Sequence, residues 1–432
     1  MPKTINSVTH FLALLALWTA VTNQSAASEQ LENLLESHAR GGWPNFFSKI
    51  ERGEDITIAY LGGSITAQPG WRPKTVEYFR KKYPNIKFTE INAAITGTNS
   101  TLGVARIQRD ILDHGPDLIF VEFAVNDRSG QLSQKTFEGM VRKTLANDIT
   151  TDMCFVYTAT IHQVDHLLEG RYQPSAEVME VVAEHYQIPT IHMVVKVAQL
   201  LKAGKLNFVA PLPPDGSGMI DGKIVFSPDG AHPYPETGHE LYLEAILRAL
   251  PAMENASLPP KREIPPPLAE GHWQDMKLIP VDEVAVSSGW KKLSPSSSRL
   301  AEQFSTFMPA VWMAETPGAS MEFTFCGSVV GLYGVKGPDV GRLRVQIDDQ
   351  DPFDTTFFYV SSNPYRHFLK PLILADDLPP GKHHVKIQID PEPIDKVTMF
   401  ADRNVDLDDT SVFEKQRTYI GDIIINGDLV KE

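Results

Sequence analysis

Five short apolar runs, at residues 56–61, 86–91, 118–123, 153–158 and 189–193, constrain this chain more than any other feature. Amphipathic segments of helical spacing lie between them, near 74–82, 102–113, 135–148 and 175–186. Two more follow, at 194–202 and at 236–250 after Pro235. Runs that are apolar at nearly every position, rather than at alternate ones, must be covered on both faces. Strands joined by helical connections of this length run parallel. The expected fold class is therefore α/β. It is a three-layer α/β/α domain on a five-stranded parallel, flavodoxin-like sheet, entered by a polar helical lead-in over 29–51 and ending near Leu250.

The pattern then changes. Pro259, Pro260, Pro265, Pro266 and Pro267 mark 256–272 as an extended, semi-rigid linker. From 273 to 432 helical periodicity gives way to short runs at 320–325, 329–333, 343–347, 384–389 and 419–425. Gly, Pro, Asp and Asn separate them, as in an all-β sandwich or jelly roll. At 432 residues the chain has room for two such domains, here 29–255 and 273–432. The formal net charge of -14 argues against a nucleic-acid partner. With only Cys154 and Cys326 present, no disulfide framework is expected, and both are read as buried free thiols.

Residues 1–28 have the form of a secretory signal peptide. Lys3 supplies positive charge, an apolar run extends from Phe11 to Val21, and the small residues Ser25, Ala26, Ala27 and Ser28 suit cleavage. That run is short for a membrane span. A secreted or periplasmic protein with no span after cleavage is expected.

Four patches fall at the carboxyl ends of strands or just before the last helix. The first is Gly62-Gly63-Ser64-Ile65-Thr66, which read alone is a strand-ending turn with a solvated serine. The second contains Gly97, the third Asn126, and the fourth runs Ser227-Pro228-Asp229-Gly230-Ala231-His232-Pro233. Together they supply the parts of a serine hydrolase. A serine hydroxyl is a weak nucleophile until a base takes its proton, and His232 is the candidate base. Asp229 would fix the imidazole tautomer and stabilise the imidazolium. The N–H groups of Ser64 and Gly97 and the side-chain amide of Asn126 would hold the oxyanion, where losing one donor costs about 3 kcal/mol.

On these residues the chain resembles the SGNH (GDSL-type) serine hydrolases, carbohydrate esterases among them. The resemblance runs from about residue 56 to 250. It implies that Ser64 is the nucleophile, Gly97 and Asn126 are oxyanion donors, and Asp229 and His232, in Asp-x-x-His spacing, complete the triad. Gly63 stands where the family's name-giving motif has aspartate, which blurs subfamily more than activity.

Other residues carry competing readings. Trp71 is a candidate cleft-rim residue, with packing at a helix start as its alternative. Arg128 is a candidate contact for a substrate carboxylate or hydroxyl, with a solvated surface position as its alternative. His162 and His166 follow the fourth strand, and His162 is taken as a cleft residue. Their i,i+4 spacing raises zinc, but no third ligand is evident, so no metal is expected. His239 and Asp127 are assigned structural roles. No lysine follows Ser64 before Lys74, which dismisses a phosphate-binding loop.

The expected function is an ester hydrolase that removes acetyl or other small acyl groups from carbohydrate or polysaccharide, without a cofactor. Trp312, Tyr333, Phe357, Phe358, Tyr359 and Tyr365 are candidates for stacking on sugar rings in the second domain. A lipid or aryl ester hydrolase or a thioesterase is the nearest alternative. The polar, Pro- and Gly-rich loop expected at 206–226 offers little apolar lining for a long acyl chain. A non-catalytic carbohydrate-adhesion protein is the alternative of another class.

Overall fold

A computed structural model describes residues 31–256 and 263–431; the signal-like segment lies outside the described residues. Strands β2 (Ile56–Gly62), β3 (Phe88–Asn92), β4 (Leu118–Glu122), β5 (Asp152–Tyr157) and β6 (Thr190–His192) pair in parallel in the order β3-β2-β4-β5-β6. That is the flavodoxin-like order expected. A sixth strand, β1 (Ser37–His38), joins the far edge antiparallel to β6. It interrupts the lead-in expected to be helical: Leu31 and Glu32 are helical, and the next helix is α1 (Pro44–Arg52), started by a proline in its first turn.

The period of two along β2 sorts its side chains onto two faces. Ile58 and Tyr60 enter one apolar layer, and Ala59 and Leu61 enter the other. Helices α3 (Trp71–Lys82), α8 (Val195–Lys202) and α9 (Gly238–Asn255) cover the first face. Helices α4 (Ser100–Asp110), α5 (Gln131–Asn147) and α7 (Pro174–Tyr186) cover the second. Between them lie the short α2 (Ser64–Ala67) and α6 (Ile161–Leu168). All five residues of β4 are buried, as two covered faces require.

Residues 206–226 are only partly a loop: 210–218 are irregular, and short strands flank them. β7 (Leu206–Val209) pairs in parallel with β9 (Lys223–Ser227), and β8 (Met219–Ile220) pairs antiparallel with β9, forming a small separate sheet. These strands are too short for their alternation to stand out from a Pro- and Gly-rich background. They aim the chain that leaves Ser227 toward the carboxyl end of β2.

The second domain is antiparallel throughout its ladders. Its strands are β10 (Met276–Pro280), β11 (Ala285–Val286), β12 (Trp290–Leu293), β13 (Val311–Ala314), β14 (Ser320–Lys336), β15 (Arg342–Ile347), β16 (Phe353–Thr356), β17 (Phe368–Ala375), β18 (Gly381–Ile389) and β19 (Thr418–Leu429). The two runs expected at 320–325 and 329–333 are one bent strand. The first half of β14 pairs with β18 and its second half with β17, with an irregularity at Gly327. A Cβ on Gly327 would stand 2.1 Å from the Asn426 carbonyl oxygen, so only glycine fits the bend.

The two domains share one apolar cluster, running from Leu61 and Val104 through Trp273 and Met276 to Tyr333 and Ile424. Gly139 on α5 lets the backbone of Trp273 approach to within 2.7 Å of where a Cβ would sit. Arg109 on α4 reaches the Asp422 carboxylate at 3.2 Å and the Phe307 carbonyl at 2.9 Å. The described part of the linker is docked rather than free. The backbone N–H groups of Leu268 and Ala269 donate to Glu138 at 2.5 and 2.8 Å, and Arg142 donates to the Pro265 carbonyl at 2.8 Å. Among the described residues no helix is long and apolar enough to cross a membrane.

Cys154 is buried and unpaired. Cys326 is also unpaired, but it is exposed rather than buried, because it lies on the outer face of the β14 bend.

Candidate active site

Strand β2 ends in Gly62, and the chain turns at Gly63 directly into α2, which begins at Ser64. The Ser64 N–H is therefore among the first of a helix and has no acceptor within it. Across the site, the chain leaving β9 turns through the Ser227 hydroxyl, which accepts from the Gly230 N–H at 3.0 Å. This turn presents Asp229 and His232 side by side. The His232 Nε2 lies 2.8 Å from Ser64 Oγ, and its Nδ1 lies 2.7 Å from Asp229 Oδ2. The second Asp229 oxygen accepts from the backbone N–H groups of Ala231 at 2.9 Å and His232 at 2.8 Å. Partial burial works against the carboxylate, but these donors and the imidazole outweigh it and hold Asp229 well below the usual carboxylate range. An ionised Asp229 takes the Nδ1–H, which leaves Nε2 as an acceptor for the serine proton.

Gly97 adopts φ 73°, in the left-handed region that favours glycine. Asn126 follows β4, and its carboxamide lies against Gly63, where an added Cβ would stand 2.2 Å from Oδ1. Gly63 is thus the residue that lets the Asn126 carboxamide approach the turn at Ser64. Ser64, Gly97 and Asn126 are contributed by the ends of three neighbouring strands, as the sequence reading placed them.

Trp71 is not a cleft residue. Its side chain is fully buried, packed edge-on to Tyr60 and Phe120 with ring centroids 5.2 and 5.7 Å away. Its backbone N–H donates to Nδ1 of His239 at 3.1 Å, and burial drives the His239 pKa down to about 3, so this histidine is a neutral structural acceptor. Arg128 is exposed beside Asn126. His162 is exposed in the first turn of α6, next to Ile161, whose N–H donates to the Gly230 carbonyl at 2.8 Å. It therefore flanks the turn that carries His232. Asp127 is buried and accepts from the Ser100 N–H at 3.0 Å at the start of α4; burial pushes its carboxyl up to about 6.

Among the described residues, no third ligand joins His162 and His166. The group with metal-ligand spacing is instead His38, Glu180 and His192, at the far edge of the sheet. There Arg40 already donates to Glu180 at 2.5 Å, so the chain supplies its own counter-cation.

Glu122 had no role assigned from the sequence, although an acid closing the run Leu118-Ile119-Phe120-Val121 is a visible oddity. It is buried, and burial raises its pKa against the pull of its donors. Those donors are the hydroxyls of Thr158 at 2.7 Å and Thr66 at 2.9 Å and the Gly63 N–H. Glu122 thereby braces the turn on both sides of Ser64 from beneath.

The second domain forms one wall of a cavity of about 370 Å³ beside this site. Ala67, Asn92, Ile95 and Thr96 face Phe304, Phe307, Arg366 and Phe368 across it. Of the aromatics expected to stack on sugars, Tyr333, Phe357 and Phe358 are core residues, while Tyr359 and Tyr365 are exposed.

No protein-family model and no curated protein matches this chain. Among solved structures, the chain is similar in fold to a two-domain esterase active on acetylated mannans, co-crystallised with mannopentaose. The TM-score is 0.70 over 91% of this chain and 97% of that one, at 20% identity. A second crystal structure of a two-domain esterase active on acetylated mannans gives a TM-score of 0.70 over 90% of this chain and 96% of that one, also at 20% identity. The likeness spans both domains and establishes a shared two-domain architecture.

Proposed function

We propose that the chain is a secreted or periplasmic serine esterase that removes acetyl or other small acyl groups from carbohydrate or polysaccharide. The observation that carries this reading is the continuous hydrogen-bonded path from Asp229 through His232 to Ser64 Oγ. As Oγ attacks the ester carbonyl carbon, the serine proton passes to His232 Nε2. The carbonyl oxygen becomes an oxyanion held by the N–H groups of Ser64 and Gly97 and the Asn126 amide. Collapse breaks the bond to the sugar oxygen, which takes the proton from His232 and leaves. Water then repeats the sequence on the acyl-serine, releasing the acid and restoring Ser64.

A carbohydrate substrate is supported by the activity of the two-domain esterases on acetylated mannans, and by the open, two-walled cleft with its aromatic and cationic second-domain wall. The leader at residues 1–28 supports export. The test is turnover of an activated acetyl ester and of a panel of acetylated polysaccharides by the purified chain. Release of acetate from at least one polysaccharide is expected. No turnover of acetyl, butyryl or longer esters would refute the reading and favour an adhesion role.

A further inference from the structure

We propose that Lys370, carried by the second domain, is a positioning residue for the oxyanion loop of the first, so that the two domains build one catalytic unit. The inference rests on the esterase reading above. Lys370 Nζ donates to the backbone carbonyl of Gly97, 273 residues away in the chain. A Cβ at position 97 would lie 3.5 Å from that nitrogen, with no other neighbour within 4 Å, so the ammonium is what stands over this glycine.

Both ends of the contact are fixed. Lys370 sits within β17, register-paired with Gly334 of β14, and its neighbour Leu369 is buried. The Tyr359 ring lies 5.7 Å from the ammonium, a cation–π contact that helps hold the lysine in place. On the other side, the loop is held locally: the Thr98 hydroxyl and N–H donate to the Ile95 carbonyl at 2.8 and 3.3 Å, and Ala94 N–H donates to Asn92 Oδ1 at 3.1 Å. Gly97 lies inside the turn that the Thr98–Ile95 bonds close, and as a glycine it is the residue of that turn with the widest backbone freedom.

A glycine free in φ and ψ can swing its N–H off the position an oxyanion will occupy. A cation seated on its carbonyl opposes that swing and places positive charge close to where negative charge develops. Largely desolvated, the ammonium meets little screening from water, and its pKa is lowered by that same burial.

The test is steady-state kinetics of the full chain and of Lys370→Met, Lys370→Gln and Lys370→Arg. Two substrates are used: 4-nitrophenyl acetate, which carries no sugar, and an acetylated mannan. The expected result is a kcat lower by about tenfold on both substrates in the Met and Gln variants, with KM little changed. Arg, which keeps the charge and the donors, recovers part of the loss. Thermal melts of the three variants establish that the fold is retained. Unchanged kcat on 4-nitrophenyl acetate, with or without a raised KM on the mannan, would overturn the proposal; the second pattern would make Lys370 a sugar contact. A loss that Arg does not recover in a folded protein would also count against it. Failure of the esterase reading is a separate outcome, seen as a wild-type chain inactive on both substrates.

Discussion

Each domain contains a histidine–aspartate pair with the same near geometry. In the first, His232 Nδ1 meets Asp229 Oδ2 at 2.7 Å, and the other aspartate oxygen accepts from the His232 N–H at 2.8 Å. In the second, His383 Nδ1 meets Asp348 Oδ2 at 2.7 Å, and the other oxygen accepts from the His384 N–H at 2.8 Å. What differs is the far nitrogen. His232 Nε2 faces the Ser64 hydroxyl, which can donate, whereas His383 Nε2 lies 2.8 Å from the Pro379 carbonyl, which can only accept. The second histidine must donate from both nitrogens and is built to be an imidazolium. The first can accept a proton. An acid–imidazole contact is therefore no mark of catalysis; the group beyond it decides.

The sharpest way to break this contrast is to remove each imidazole. His232→Ala, like Ser64→Ala, is expected to cost roughly 10⁵–10⁶ in kcat, while His383→Ala leaves turnover of an acetyl ester unchanged. Equal losses would erase the distinction. Next in size is Asp229→Asn, which keeps the shape but no longer enforces the Nδ1–H tautomer; a fall in kcat of about 10⁴ is expected by kinetics at saturating ester. Gly63→Ala follows. Its new Cβ would fall 2.2 Å from Asn126 Oδ1, so the carboxamide must leave the oxyanion site, and kcat should drop about 10²-fold with KM little altered.

The smallest effect is on stability. Burial opposes the charge of His383, but Asp348 and the Pro379 carbonyl outweigh it and raise its pKa. A histidine whose folded pKa is raised stabilises fully below its unfolded pKa, about 6.5, and loses that contribution as pH rises through the folded value. His383→Gln should therefore lower Tm by about 1–2 °C below pH 6, with the difference shrinking toward pH 9. A difference that grew with pH would reverse the assignment.

The first domain was legible because its strands are apolar at nearly every position and its site residues follow strand ends. Ser64, Gly97, Asn126 and the Asp229–His232 turn stand out only when the four patches are taken together; Ser64 read alone is a strand-ending turn. Trp71 is near Ser64 in sequence but not exposed beside it, because α3 turns the indole into the apolar layer. β1 is invisible in the sequence because two residues carry no periodicity, and Gly327 looks like a break in β14 when it is a bend. Lys370 and Arg109 act across domains, and nothing local in either stretch announces a partner some 300 residues away. Glu122 could have been found: a carboxylate inside an apolar strand has to meet donors.

The central claim is that His232 makes Ser64 a nucleophile. It is tested most directly by treating the chain with a fluorophosphonate and mapping the adduct by peptide mass spectrometry. One adduct per chain, on Ser64, that disappears in His232→Ala and persists in His383→Ala is predicted. No adduct, an adduct elsewhere, or labelling of Ser64 that does not depend on His232 would contradict the account.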